Sequence, residues 1–331
     1  MGRYEEIDLR RLKRIEIARR RYKVERGMLA DPPTGVGSFA DFWDGLPGTL
    51  AALDLHTLAR AIVTARNRGR PVIWMFGAHV IKVGLGPLLT GLLREDFATL
   101  LAVNGAFTIH DAELALWGVT SEDVARELHE GRFGMVKETS QLLNEAAVEA
   151  AKRGEGLGES IGRMLLERRD AWITDSVMGV AYDMGIPATV HVAVGTDITH
   201  QHPEFSGEAT GGGSARDFRI FAKHLQDLEG AVVVNVGSAV ILPEVFLKAF
   251  SVVTNLGANS AGLVTATLDF NRHYRPLVNV VQRPHRGPQG IYLIGHHEIL
   301  LPLLFQGLLL ERDRFVVSKA SRCGECAPNS R

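Results

Sequence analysis

The feature that most restricts the fold is a series of six short runs dense in β-branched and other apolar residues. They are "PVIWMF", "TLLAVNGAF", "ATVHVAVG", "AVVVNVG", "GLVTATLDF" and "GIYLIG", with longer stretches of helical character between most of them. Runs that are near-continuously apolar, rather than apolar at alternate positions, suit strands covered on both faces. Strands of that kind alternate with helices in parallel sheets. The helices are legible too. "GTLAALDLHTLARAIVTARNRG" leads into the first strand, and "LGPLLTGLLRE" follows it with Leu85, Leu88, Leu89 and Leu92 on one face. "IHDAELALWG" reads as turn and helix. "TSEDVARELHEG" reads as a helix with Thr120 and Asp123 as a capping box and Gly131 as its stop, and "ETSQLLNEAAVEAAKRG" as another helix. The expected fold is α/β: a doubly wound, mostly parallel sheet with helices on both faces.

Composition sets the outer limits. The 331 residues are 46% hydrophobic and 23% charged, with a formal net charge of -1. That balance fits an ordinary globular chain and gives no general reason to expect nucleic acid or an anionic membrane. The late apolar run "EILLPLLFQGLLLE" is short for a bilayer and is interrupted by Pro302 and Gln306. The opening residues do not read as a secretory leader, and Glu6 stands where a myristoylation signal carries Ser or Thr. Two cysteines, Cys323 and Cys326, exclude a disulfide scaffold, so the expected compartment is the cytoplasm. Their Cys-Gly-Glu-Cys spacing stands alone and reads as incidental. Residues 1–38 read as a basic helical arm, with ten Lys/Arg against five Asp/Glu over the first 26, followed by a Pro/Gly linker. Residues 39–318 read as a single α/β domain and 319–331 as a flexible tail.

In a doubly wound sheet, ligands bind beyond the carboxyl ends of the strands. Five of the runs end in Gly and polar residues: Gly77-Ala78-His79 with Lys82, Asn104-Gly105 with His110-Asp111, Gly195-Thr196-Asp197 with His200 and His202, Gly237-Ser238, and Gly295-His296-His297. One such turn means little, but five on one edge form a candidate site. In "GAHVIKVGL", Lys82 suits a phosphate or carboxylate and His79 a ligand hydroxyl; the apolar Ile81, Val83 and Leu85 would make an idle charge costly. Gly237 permits close backbone approach, and Ser238 with the following amides offers an anion seat at a helix start. "NVGSAVILPEVF" is neither GxGxxG nor a Walker loop, however, and a plain capped turn stays open. His110 beside Asp111 suits an acid–base pair, with helix capping by Asp111 as the other reading. Asp197, His200 and His202, with His191 before them, have the atoms for a divalent metal but no established ligand spacing. A hydrogen-bonding loop is favoured there, and no metal is assigned. Of His296 and His297, adjacent on a strand, at most one serves the site.

The segments "FGAHVIKVGLGPLLTGLL", "AVNGAFTIHDAELALWG", "SVMGVAYDMGIPATVHVAVGTDITH" and "GAVVVNVGSAVILPEVF" follow one another as the corresponding segments do in deoxyhypusine synthase. Residues 70–275 thus resemble that family at superfamily level. The resemblance implies a Rossmann-like, NAD-binding fold, a tetramer with sites at subunit interfaces, and aminobutyl transfer from spermidine to a protein lysine; for this chain the expectation is a homo-oligomer, dimer or tetramer. It puts Asn104, Gly105, His110, Asp197, Gly237 and Ser238 around the dinucleotide. Gly77 and Thr196, in neighbouring turns, complete the cofactor-binding candidates.

The departures matter as much. The family's Gly-Gly-Gly-x-Pro-Lys-His turn is here "VGSAVILPE", and its catalytic lysine has no counterpart in "TATLDFNRHYRPLVN", where His273 and Arg275 stand. Imine chemistry needs an amine of lowered pKa, which would have to come from Lys82 or Lys137. The expectation is a deoxyhypusine synthase-like enzyme that binds an NAD-type dinucleotide and a small polar, amine-type substrate without making hypusine. Its catalytic candidates are His79, Lys82, His110, Asp111 and His273. Two rivals stay open: a metal-assisted hydrolase or lyase using His79, His110, Asp197, His200 and His296, and a catalytically silent nucleotide-binding homologue.

Overall fold

The computed structural model describes residues 3–168, 172–287 and 290–324. Among them, six parallel strands form one sheet: β1 (Val72–Phe76), β2 (Leu100–Asn104), β3 (Ala188–His191), β4 (Val232–Val236), β5 (Val264–Asp269) and β6 (Ile291–Ile294). Their order is β3-β2-β1-β4-β5-β6, so the chain reverses its direction of sheet growth between β1 and β4. This is a Rossmann-like doubly wound sheet. The α-helices, in chain order, are α1 (Phe39–Asp44), α2 (Leu50–Asn67), α3 (His79–Lys82), α4 (Gly86–Arg94), α5 (Gly105–Trp117), α6 (Val124–His129), α7 (Lys137–Arg153), α8 (Leu157–Arg168), α9 (Val177–Asp183), α10 (Gly207–His224), α11 (Ile241–Asn255) and α12 (His297–Gly324). A π-helix covers Pro276–Gln282. No helix among the described residues is long and apolar enough to cross a membrane.

β1 and β4 are buried at all five positions, which is why their sequences are apolar apart from Asn235 of β4. On one face Ile73, Met75, Ala102 and Val233 pack with Phe221 and Leu225 of the α10 region, with Leu242, Phe246 and Ala249 of α11, and with Val280 of the π-helix. On the other, Trp74 and Phe76 stack 5.6 Å apart, Phe76 meets Phe107 of α5 at 6.4 Å, and the Trp74 indole donates to the Phe97 carbonyl. Phe97 in turn meets Phe305 of α12 edge-on. Helices therefore cover both faces.

The chain divides into two compact units, Met1–Leu53 and Asp54–Arg331. Within the first, Ser38 and Asp41 form the capping box of α1, and Trp43 is buried beside Phe39. The expected basic helix is not there. Residues 3–38 form three separate 3-10 turns, Leu9–Arg11, Ile17–Arg19 and Arg26–Met28. Tyr4, Ile7, Leu9, Leu12, Ile15 and Ile17 are all exposed, so no apolar stripe is buried to offset the repulsion of clustered arginines. In the second unit α5 begins at Gly105, directly off the strand, because the Asn104 side chain caps it by accepting from the Phe107 amide. The capping of α6 also differs: Asp123 accepts from the Arg126 amide, and Thr120 is engaged elsewhere. α12 continues to Gly324; of the Cys-Gly-Glu-Cys segment, residues from 325 on lie outside the described residues.

Candidate functional site at the carboxyl ends of the strands

The reversal between β1 and β4 opens the sheet beyond Phe76 and Val236, and two glycines line the opening. The Gly77 amide donates to the Val236 carbonyl at 2.8 Å, and a Cβ at Gly77 would lie 2.1 Å from the Gly237 carbonyl oxygen. No other residue fits there. Gly237 takes φ +66, and a Cβ on it would lie 2.9 Å from Cε1 of His297. Beyond it, the Ser238 hydroxyl accepts from the Leu242 amide, so Ser238 holds the start of α11. Among the described residues the amides of Ala239 and Val240 meet no acceptor. They stand at the positive end of a fifteen-residue helix.

A histidine cluster borders the same opening. His79, exposed at the start of α3, lies 5.7 Å from the His297 ring and 5.7 Å from Phe270. His297 is 1% exposed, and burial pushes its pKa down. Asp269, buried at the end of β5, sits 3.8 Å from Nε2 of His273. His296 is exposed, and His297 begins α12. One histidine of that pair therefore turns inward, as expected, although through a helix start rather than strand alternation. Asp269 and Phe270 were absent from the sequence-derived candidates, whereas His297 was one of the pair of which at most one was expected to serve the site. The strand-end rule, applied to "GLVTATLDF", points to Asp269.

A second group forms on α5. Thr120 donates its hydroxyl to Glu113 at 2.6 Å and lies 2.7 Å from Nδ1 of His110. The single hydroxyl proton is committed to Glu113, so His110 must donate from Nδ1, leaving Nε2 as a lone pair. Burial, helped by the charge of Lys82, holds the His110 pKa down to about 4. Glu113 also accepts from Thr139 and lines a cleft of about 540 Å3 with Trp117, Val119 and Val136. Lys82 itself is exposed. Its apolar neighbours Ile81 and Leu85 are buried while its own charge is solvated, so desolvation places no demand on it.

Asp111 lies elsewhere. It accepts from the Ser176 hydroxyl at 2.8 Å and from the Val177 and Met178 amides at 2.7 and 3.1 Å, anchoring the start of α9. The structure gives it a capping role, on a helix other than its own. At the β2–β3 edge, a Cβ at Gly105 would fall 2.0 Å from an Asp197 oxygen, and the Ala106 amide donates to that carboxylate. Burial pushes Asp197 up to about 6. His200 lies 3.8 Å from Asp197 and accepts the Gly195 and Asp197 amides on Nδ1. Thr196 is exposed, with its hydroxyl given to the Ala193 carbonyl, and His202 turns to the Gly134 carbonyl. Lys137 is exposed at the start of α7. Among the described residues no group of three or more His, Cys, Asp or Glu is placed to hold a metal ion.

No protein-family model and no curated protein matches the chain. Solved structures do. AgrE, in its ternary complex with ornithine and NAD+, is similar over 79% of this chain and 33% of its own, at 20% identity and a TM-score of 0.52. A protein assigned as LOR/SDH from Methanococcus maripaludis S2 is similar over 81% of this chain and 71% of its own, at 16% identity and a TM-score of 0.50. What is shared is the fold. A protein assigned as a deoxyhypusine synthase from Entamoeba histolytica matches over 82% of this chain and 93% of its own, at 13% identity and a TM-score of 0.49. The chain spans about a third of AgrE.

Proposed function

We propose that the chain is an enzyme that binds an NAD-type dinucleotide across the opening between β1 and β4 and acts on a small amine-bearing substrate. The observation that carries this reading is the glycine pair at the reversal of strand order, next to the helix-start amides of Ala239 and Val240, which meet no acceptor among the described residues. AgrE, which shares the fold, is described with ornithine and NAD+, and that supports both the cofactor and the substrate class. A bound nicotinamide would supply a hydride acceptor. The chain's own part is to seat the pyrophosphate on Gly77 and Gly237, to meet negative charge with Lys82, and to handle protons through His79 and the His273–Asp269 pair. A homo-oligomer in the cytoplasm completes the reading, the first from the resemblance and the second from the two cysteines.

Calorimetry with NAD+, NADH, NADP+ and NADPH tests it. Saturable heat with at least one is expected; none at millimolar ligand removes the cofactor. A second assay bears on the reaction: with spermidine, NAD+ and the hypusine acceptor protein we expect no product, since "NRHYRP" replaces the lysine segment.

A further inference from the structure

We infer that Nδ1 of His297 accepts a hydrogen bond from the bound dinucleotide, a residue contact that deepens the reading above and rests on it. Nε2 of His297 lies 3.4 Å from the Leu268 carbonyl, an acceptor, which favours the proton on Nε2 and leaves a lone pair on Nδ1. That Nδ1 is buried and has no partner. A buried acceptor left unmade costs stability, and native proteins retain such groups where a ligand completes them. The place is specific: the ring lies against Gly237, so close that a side chain there would strike it. Two further unpartnered polar atoms, Oδ1 of Asn235 and Oγ1 of Thr267, belong to register partners one residue before the end of β4 and two before the end of β5.

What covers the ring can move. His79 and Phe270 pack on it with their own side chains exposed. Turning them aside opens Nδ1 to the crevice beside Gly237. The donors a dinucleotide carries there are ribose hydroxyls and the carboxamide N–H, and either satisfies the lone pair.

The test compares the full-length wild-type chain with His297→Phe and His297→Asn, using NAD+ and NADH as probes. Phe keeps an aromatic ring against His79 and Phe270 and removes the lone pair. We expect its affinity for the nucleotide to fall about two- to tenfold, while the thermal midpoint without ligand holds or rises. Asn, which retains an acceptor oxygen, should recover part of the affinity. In wild type, the 15N resonance of the unprotonated His297 nitrogen should shift as NADH is added. That measurement does not depend on either variant folding. Unchanged affinity in folded His297→Phe, or an unmoved resonance at saturation, overturns this inference alone. A wild-type chain that binds neither NAD+ nor NADH overturns it together with the cofactor reading.

Discussion

At Asp111 burial pushes the carboxyl up to about 6, although it receives two amides and a hydroxyl from the start of α9. Desolvation wins because no cation pairs with it. In Asp111→Asn the amide NH2 replaces one carboxylate oxygen and faces a backbone N–H donor, so we expect a loss of about 1–3 kcal/mol in urea unfolding. An unchanged midpoint would show that the anchor is idle. Lys82→Met should behave in the opposite way. Its charge is exposed, so the fold should keep its midpoint while nucleotide affinity falls about ten- to a hundredfold if Lys82 meets a phosphate. The His110 pKa, followed by NMR, should rise in that variant while burial keeps it below its ordinary value. His191 titrates in another sense. Burial holds it down to about 3, with Nε2 against Thr189. A depressed folded pKa means stability present above the unfolded value near 6.5 and lost as pH falls toward 3. His191→Phe should therefore flatten the acid limb between pH 6 and 4 by ~1.4 kcal/mol per pH unit. An equally steep limb would show that His191 is not held neutral. None of these three environments is written in the neighbouring sequence. Asp111 meets partners 65 to 67 residues away, and the spacing of titratable residues carries no sign of such pairings.

Among the elements, the strands were legible because a strand buried on both faces must be apolar throughout, and all six runs became strands. The starts of helices were harder to read. Gly105 looked like a turn, but it opens α5 because the Asn104 side chain caps the helix by accepting from the Phe107 amide. The N-terminal arm looked helical from its charge, and charge cannot hold a helix that buries nothing. The two crowded glycines make separable predictions. A Cβ at 77 meets the Gly237 carbonyl, which is fixed by the strands, whereas a Cβ at 105 meets a carboxylate that can rotate. Gly77→Ala should cost more than Gly105→Ala in denaturant, by about 1–3 kcal/mol. Equal losses would place the rigidity elsewhere.

For the molecule as a whole, strand order decides where the candidate site lies, and strand order is the part a single sequence states least. The five Gly-polar turns were visible as a set, but only the reversal between β1 and β4 singles out Gly77 and Gly237 among them. That same reversal joins residues 72 and 232 in the middle of the sheet. A ribosome adding 5–20 residues per second needs roughly 8–32 s to pass from one to the other. Throughout that interval Val-Ile-Trp-Met-Phe, an entirely apolar strand, has emerged with one of its two edges unclaimed. The nascent chain thus carries a sticky segment for many seconds before its partner exists. The protein's yield in a cell should therefore depend on chaperone supply and translation speed, whatever the stability of the finished molecule.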